Sequence, residues 1–392
     1  MRRRLLLLGA VLGLVLPVGA AWADGMQQRV DRAIERGLAA LVERQGEDGS
    51  WTAEPGPAVT ALVLEGLYAE PGFGVSHPAG ERGLAYVLSF VKENGGIHGG
   101  FLQNYNTAIC LAALASVADR EGIAEIIKGG HDFLRGLQWA GQLDPRGEVV
   151  TEVHPYYGGA GYGGKGRPDL SNTATMLAGL HASGLDAEDE AYQRAVVFLT
   201  RVQAVPENDL FDNEVLPRDG GFIYATSVNL DLIGVPESKA NPEKIDEALA
   251  GQPVSGLRGY GSMTYAGFMS YLYAELDRDD PRVRAAYLWL GEHYTVERNP
   301  GMPAGYELDG LFYYYLVMAR SLSAWGEMML DAPEGERRWA VDLSEQLLAM
   351  QGEDGLWRNE STRWLEGDPN LATAYAVQAL QAARPWLGSD NE

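Results

Sequence analysis

A seven-residue segment occurs twice in this chain, once near each end. The first copy runs from Gln45 to Trp51 (QGEDGSW) and the second from Gln351 to Trp357 (QGEDGLW), so six of seven positions agree across 306 residues. Each copy follows a segment with helical apolar spacing and precedes a second apolar segment, which opens at Thr60 or at Thr373. A unit that recurs in this way predicts a fold built from repeated helix–turn–helix pairs.

Four similar second helices are predicted between the two copies. They open at Thr107, Thr173 and Thr264 and within the segment 309–315, which gives six in all. First helices are predicted for five of the six pairs, at Ala79 to Val91, Ile123 to Leu137, Glu190 to Val202, Pro281 to His293 and Arg337 to Met350.

The two kinds of helix differ in composition. The second helices are rich in Ala, Leu, Thr and Gly and carry few charges, whereas the first helices carry more Arg, Glu and Lys. Because a helix that is apolar around most of its circumference belongs inside, the second helices are expected to line a barrel. We therefore expect an all-α fold, an (α/α)6 toroid of six helical hairpins, with an open solenoid as the alternative.

The first 23 residues have the pattern of a secretory signal peptide. Three arginines begin it, Leu5 to Val18 form an apolar core, and Ala21 and Ala23 offer a small-x-small cleavage site. This pattern predicts a periplasmic or secreted protein with a single toroid domain over residues 24–392, and leaves the Sec and twin-arginine routes open. Pro17 breaks the apolar run and no other long apolar stretch follows, so no stable membrane span is expected.

The chain is strongly acidic. Its formal charge is -23, and removal of the three signal arginines would make it -26. A field of that sign repels phosphate backbones, so nucleic acid is not an expected partner.

The single cysteine, Cys110, excludes an internal disulfide. The sequence shows no paired histidine spacing and no phosphate-binding or nucleophile-turn motif, so no metal or cofactor is predicted.

The repeated Gln-x-x-x-Gly-x-Trp unit resembles the repeat of squalene and oxidosqualene cyclases, and similar helix pairs build the β-subunit of protein prenyltransferases. This resemblance implies a toroid and an apolar isoprenoid ligand. Within the unit, the Gln is expected to hydrogen-bond to backbone at an adjoining helix end. The Gly is expected to permit the turn and the Trp to pack on the preceding repeat.

The catalytic motifs of these families match less well. Hopene-forming cyclases protonate their substrate from an Asp-x-Asp-Asp motif, which Asp277 to Asp280 resembles. Asp280, however, directly precedes Pro281 and is predicted to cap an outer helix. Prenyltransferases hold zinc with an Asp-x-Cys pair, whereas Ala108 stands two positions before Cys110. These cyclases also use two barrels, and this chain has residues for one.

The residues just before the inner helices are predicted to converge at one mouth of the barrel, where sites in such folds are built. Two insertions reach this mouth, residues 154–165 and the segments 219–224 and 236–260, and each is expected to be a lid, a ligand wall or a plain surface loop. The candidate acids are Asp169, Asp309 and Asp368, each of which could instead cap a helix. The candidate ligand-binding residues are His154, Tyr156, Tyr157, Tyr105, Asn106, Asn172, Tyr265, Phe312, Tyr313, Tyr314, Trp364 and Asn370.

Three functions fit these residues. An aromatic pocket with a few carboxylates suits an apolar isoprenoid or lipid ligand, and the same pocket could stabilise carbocations if the protein is a terpenoid cyclase-like enzyme. The second hypothesis is a non-catalytic scaffold for another exported protein. The third is a carbohydrate-active toroid, a glycosidase or lyase. The cyclase-like repeat favours the first hypothesis.

Overall fold

The computed structural model describes residues 18–164 and 166–388, so that most of the predicted signal peptide lies outside the described residues. Outer and inner helices alternate along the chain in six pairs, with one extra short helix, α8, in the fourth pair. In chain order the helices are α1 (Val18–Glu43), α2 (Ala58–Tyr68), α3 (Pro78–Leu88), α4 (Gln103–Ala115), α5 (Ile123–Leu137), α6 (Leu170–Ala182), α7 (Glu190–Arg201), α8 (Pro242–Leu249), α9 (Gly261–Tyr273), α10 (Pro281–Glu292), α11 (Leu311–Trp325), α12 (Trp339–Met350) and α13 (Pro369–Ala383).

The inner helices form a closed cycle of contacts. Helix α2 packs on α4, α4 on α6, α6 on α9, α9 on α11, α11 on α13, and α13 returns to α2. The outer helices pack around this cycle, for example α3 on α2, α5 on α4 and α10 on α9. The predicted all-α toroid is confirmed.

Inner and outer helices bury their residues in different ways. Nine of the eleven residues of α2 are buried, because this helix touches neighbours on nearly every side. Helix α5 instead buries one stripe that includes Ile123, Ile127, Leu134 and Leu137, at the spacing of successive helical turns. Each of these apolar side chains contributes roughly 1.5–3 kcal/mol by leaving water.

The repeated glutamine fastens its unit to the next outer helix. Gln45 Nε2 donates to the carbonyl oxygens of Gly49 and of Ala79, at the start of α3, both at 2.9 Å. Gly49 has φ +88°, and a Cβ there would lie 2.5 Å from the carbonyl oxygen of Arg82, so the turn requires glycine. The expected roles of the Gln and the Gly are confirmed. Gln138 and Gln203 make equivalent pairs of hydrogen bonds.

The tryptophan and the threonine complete the unit. Trp51 is 1% exposed, and its Nε1 donates to the carbonyl oxygen of Leu41 at 2.6 Å. The backbone N–H of Trp51 donates to Thr60 Oγ1 at 2.9 Å. The threonines that open the other inner helices accept equivalent backbone hydrogen bonds in four further units: Thr107, Thr173, Thr264 and Thr373. The Thr-Ala step therefore marks a buried contact between the turn and the inner helix.

Some element boundaries differ from the sequence expectation. Arg337 and Arg338 were expected in an outer helix but lie in a short hairpin, β1 (Met329–Ala332) paired antiparallel with β2 (Gly335–Arg338), and α12 begins at Trp339. Helix α3 ends at Leu88 because the chain turns to form a bridge between Val91 and Ile97. Helix α1 (Val18–Glu43) includes the predicted cleavage site after Ala23. Among the described helices, none is both long and apolar enough to cross a membrane.

Candidate active site

A cavity of about 430 Å³ opens at the amino-terminal ends of the inner helices. This volume is typical of small-molecule sites. Six tyrosines dominate its wall: Tyr105, Tyr162, Tyr224, Tyr260, Tyr313 and Tyr375. The other wall residues are mainly apolar or small: Pro55, Val59, Leu102, Ser171, Thr175, Ser262, Met263, Gly310, Trp364, Leu365, Glu366 and Leu371. We call this space the mouth cavity.

Inner helices and inserted loops both supply tyrosines to the mouth cavity. Tyr105 and Tyr375 stand on α4 and α13, and their hydroxyl oxygens lie 3.0 Å apart. Tyr162 and Tyr224 belong to the two inserted loops. Both loops therefore form part of the wall of the mouth cavity. Burial raises the pKa of Tyr105 to about 12, so its hydroxyl stays protonated at neutral pH and can donate a hydrogen bond.

Glu366 is the one carboxylate on the described wall of the mouth cavity. It is 1% exposed, and it accepts hydrogen bonds from the backbone N–H of Phe312 at 3.1 Å and of Tyr313 at 2.8 Å. Asn359 Nδ2 donates to it at 2.7 Å. Burial raises the pKa of Glu366 to about 7, although the three donors favour the charged form. Near neutral pH this group is therefore protonated in a large fraction of molecules.

The loop of residues 359–368, here called the rim loop, carries Glu366 to the amino terminus of α11, at the wall of the mouth cavity. Trp364 and Leu365 have φ of +54° and +67°, a region that side-chain-bearing residues rarely adopt. The resulting kink places both residues on the wall beside Glu366. Ser361 Oγ fastens the rim loop by donating to Asp309 Oδ1 at 2.6 Å.

Asp169 is buried at the amino terminus of α6. It caps this helix by accepting from the backbone N–H of Asn172 at 2.8 Å, and it also accepts from the side-chain amide of Asn172 at 2.9 Å. Burial raises the pKa of Asp169 to about 6, while the hydrogen bonds from Asn172 and the positive charge of Arg167 oppose the rise.

The three predicted acids all make structural contacts, and none is on the cavity wall. Asp368 caps α13 through the backbone N–H of Asn370 at 2.7 Å and of Leu371 at 3.2 Å. Asp309 holds the rim loop, and Asp169 caps α6. A catalytic role for any of them stays a prediction.

Three of the predicted ligand-binding residues, Tyr105, Tyr313 and Trp364, line the mouth cavity. The predicted asparagines join helix ends to neighbouring segments: Asn106 accepts from the backbone of Ala58, and Asn370 from the side chain of Arg44. The other predicted residues lie off the wall, packed in the core or in a separate cluster: Asn172, Phe312, Tyr265, Tyr314, His154, Tyr156 and Tyr157.

His154 lies beside Asp144 and Glu148, and the potential ligand atoms of these three residues are within 4.8 Å of one another. Arg146 already pairs with Asp144 at 3.3 Å and with Glu148 at 3.9 Å. Because this guanidinium supplies the positive charge that a cation would bring, the cluster gives no support for a metal site.

Glu366 and three of the six wall tyrosines, Tyr162, Tyr224 and Tyr260, were not proposed individually from the sequence. These three tyrosines lie in the insertions that were expected to reach the mouth. Little in the sequence marks Glu366 as a site residue. It stands two residues before the cap Asp368, but the kink beside it is formed by residues other than glycine.

Comparisons with known proteins support the fold. No protein-family model matches the chain, and no curated protein does. Among solved structures, an apo variant of the type II terpene cyclase MstE from Scytonema is similar with TM-score 0.50 and 14% identity, over 93% of this chain and 99% of that one. A D-mannose isomerase has TM-score 0.52 and 12% identity, over 90% and 96% of the two chains.

A family 76 glycoside hydrolase from a bovine Bacteroides thetaiotaomicron strain has TM-score 0.54 and 12% identity, over 91% of this chain and 78% of that one. At these identities the similarity concerns architecture and leaves activity open. The chain therefore has the terpenoid cyclase-like α/α toroid fold that occurs in both terpene cyclases and carbohydrate-active enzymes.

Proposed function

We propose that this toroid binds an elongated apolar ligand of the isoprenoid or lipid class in the mouth cavity. The observation that carries the proposal is the cavity itself, about 430 Å³ in volume, walled by six tyrosines and apolar side chains with one carboxylate. Burying apolar ligand surface there is worth roughly 25 cal/mol per Å². A ligand rich in polar groups would leave many of them unpartnered against such a wall.

The position of Glu366 also supports acid-initiated chemistry on such a ligand. The protonated carboxyl can transfer its proton to a carbon–carbon double bond, which leaves a carbocation among tyrosine rings whose faces attract positive charge. Loss of a proton from an adjacent carbon then restores neutrality, so the reaction is an isomerisation or a cyclisation. MstE is a terpene cyclase whose structure contains geranylgeranyl dihydroxybenzoate as substrate, which supports the idea that a toroid of this size accommodates an isoprenoid chain.

The residues of the cavity wall favour the two alternative functions, a carbohydrate-active enzyme and a protein-interaction scaffold, less. A sugar carries a hydroxyl on most of its carbons, and beyond the tyrosines the wall offers Ser171, Thr175, Ser262 and Glu366 as polar side chains. Aromatic stacking could still hold a sugar ring, so a glycan is one outcome of the test. A protein-interaction scaffold has no need of the mouth cavity.

The test is to identify what the cavity retains. The full chain is purified from two different hosts, denatured, and its organic extract analysed by mass spectrometry. Ser171→Trp fills the cavity from α6, and Leu288→Trp, at a residue that is 69% exposed, is the matched control.

We expect the wild type and Leu288→Trp each to yield a stoichiometric amount of an isoprenoid or lipid. Ser171→Trp should yield none, although its thermal unfolding should match that of the wild type. If Ser171→Trp retained the lipid, the lipid would bind outside the mouth cavity. Extracts without lipid, together with saturable binding of an oligosaccharide but not of an added polyprenol, would overturn the proposal in favour of a carbohydrate ligand.

A further inference from the structure

A second, smaller chamber lies deeper in the barrel. Its volume is about 80 Å³, and residues of all six inner helices line it. It shares Tyr105, Thr175, Tyr313 and Tyr375 with the mouth cavity, so these four side chains stand between the two spaces. We call this space the deep chamber. Most of its wall is apolar, with Ile109, Met269 and Leu316 among the larger side chains.

Besides the four shared side chains, three polar residues line the deep chamber: Glu65, Tyr273 and Arg320, here called the polar floor. Arg320 uses one nitrogen, Nη2, which donates to Glu65 Oε2 at 2.8 Å and to the side-chain oxygen of Gln378. Its Nε and Nη1 make no hydrogen bond to any residue that the structure describes. The hydroxyl of Tyr273 likewise makes no hydrogen bond within the described ranges. The Arg320 side chain keeps 33% of its surface accessible and lines the deep chamber.

The remaining donors of Arg320 indicate a ligand group at this position. A guanidinium has five N–H bonds, and the two on Nη2 are used, which leaves three. These donors are accessible, and the apolar part of the chamber wall offers them no acceptor. An oxygen atom at the end of a ligand chain would satisfy them.

The charge of the polar floor selects among oxygen-containing groups. Arg320 and Glu65 together are neutral, so a ligand carboxylate would meet repulsion from Glu65 as well as attraction from Arg320. A hydroxyl avoids this conflict because it can accept from Arg320 and donate to Glu65 at once. It also carries no charge past the tyrosines that separate the two spaces.

We propose that the polar floor binds the terminal hydroxyl of an apolar alcohol whose chain passes the tyrosines into the mouth cavity. This inference rests on the proposed function, since the mouth cavity must hold the rest of the chain. The small volume of the deep chamber admits the hydroxyl and the last few carbons only. The floor thereby determines both the end group and the direction in which the ligand lies.

Three fifteen-carbon probes test the proposal: farnesol, the hydrocarbon farnesene, and farnesoic acid. Their dissociation constants are measured by tryptophan fluorescence, since Trp364 lies on the cavity wall. The double variant Glu65→Gln with Arg320→Met removes both charges, so no unpaired buried charge remains to unfold the protein. Arg284→Met, at an arginine that is 64% exposed, is the control.

We expect the wild type to bind farnesol about tenfold or more tightly than farnesene, the usual range for a hydrogen bond to a charged group. The double variant should lose this preference and bind farnesene unchanged, whereas Arg284→Met should behave as the wild type does. Equal binding of alcohol and hydrocarbon by the wild type, or tightest binding of the acid, would overturn the inference while leaving the proposed function intact. Binding of none of the probes would overturn both.

Discussion

The side-chain amide of Gln351 donates to the carbonyl oxygen of Ala33 at 2.9 Å and so joins the end of α12 to α1 across 318 residues of sequence. Gln45 makes the same contact with Ala79 over 34 residues. Closure of the ring therefore uses the contact that builds its consecutive units. Arg36 reinforces it by donating to the carbonyl oxygen of Gly352 at 3.0 Å. The similarity of the two ends of the sequence follows from this geometry.

Gln351→Leu should destabilise the protein by about 1–3 kcal/mol. It removes the hydrogen bonds to Ala33 and to Gly355 and leaves two backbone carbonyls with one partner fewer. Urea unfolding followed by circular dichroism measures the change. Gln252→Leu, at an exposed residue outside the repeat, should change stability by less than about 0.5 kcal/mol. Equal curves for the two variants would show that the closure contact does not stabilise the ring.

Gly49→Ala should be strongly unfavourable. Its backbone has φ +88°, and the new Cβ would lie 2.5 Å from the carbonyl oxygen of Arg82, so both conformation and space oppose it. We expect a loss of about 2 kcal/mol or more in the free energy of unfolding. Gly136→Ala is the matched control in helix α5, where a Cβ meets nothing within 4 Å. That variant should gain roughly 0.5 kcal/mol, because alanine favours helix.

Asp368→Ala tests whether this predicted acid is a cap. The change removes the side-chain acceptor for the first N–H groups of α13 and the partner of Thr52 Oγ1, and should cost about 1 kcal/mol. Asp368→Asn retains a capping oxygen and should restore most of the stability. Asp279→Ala, at a carboxylate whose side chain is 90% exposed, is the control. If stability is unchanged in Asp368→Ala while turnover of an identified ligand is lost, the residue is an acid and not merely a cap.

The repeat was readable from the sequence because part of its chemistry is local. Gln45 donates to Gly49, and Trp51 hydrogen-bonds to Leu41 and Thr60, so these contacts join residues no more than 10 positions apart. Glu366 was not readable in this way. Its position depends on the kink at Trp364 and Leu365, and positive φ at residues other than glycine leaves no mark in the sequence.

For the predicted acids, in contrast to Glu366, the sequence did indicate their position. Asp169 and Asp368 were correctly located at the amino termini of inner helices, and each was also considered as a cap. Which side chains face the mouth cavity depends on how the long insertions fold back, and that is decided by tertiary contacts. The hydrogen bond from Ser361 to Asp309, over 52 residues, is one such contact that neither segment predicts alone.

The stability of the protein should fall as the pH rises from about 4.5 to 7, through Glu366. Its pKa is raised from 4.5 to about 7 by burial, so the folded protein binds more protons than the unfolded chain in this interval. The stabilising contribution is complete below pH 4.5 and is lost as the pH passes 7. Asp169, raised from 3.8 to about 6, acts in the same direction between those two values.

Glu366→Gln and Asp169→Asn remove these two titrations separately. Urea unfolding at pH 4.5, 6 and 7.5 should show that Glu366→Gln weakens the decline above pH 6, because a neutral amide has no proton to lose. Asp169→Asn should flatten the curve mainly below pH 6. The matched control is Asp354→Asn, at an exposed residue whose pKa is lowered to about 2 by Arg358, so it titrates below the whole interval. If Glu366→Gln ran parallel to the wild type from pH 6 to 7.5, Glu366 would be ionised throughout, and its role as a proton donor to the mouth cavity would be excluded.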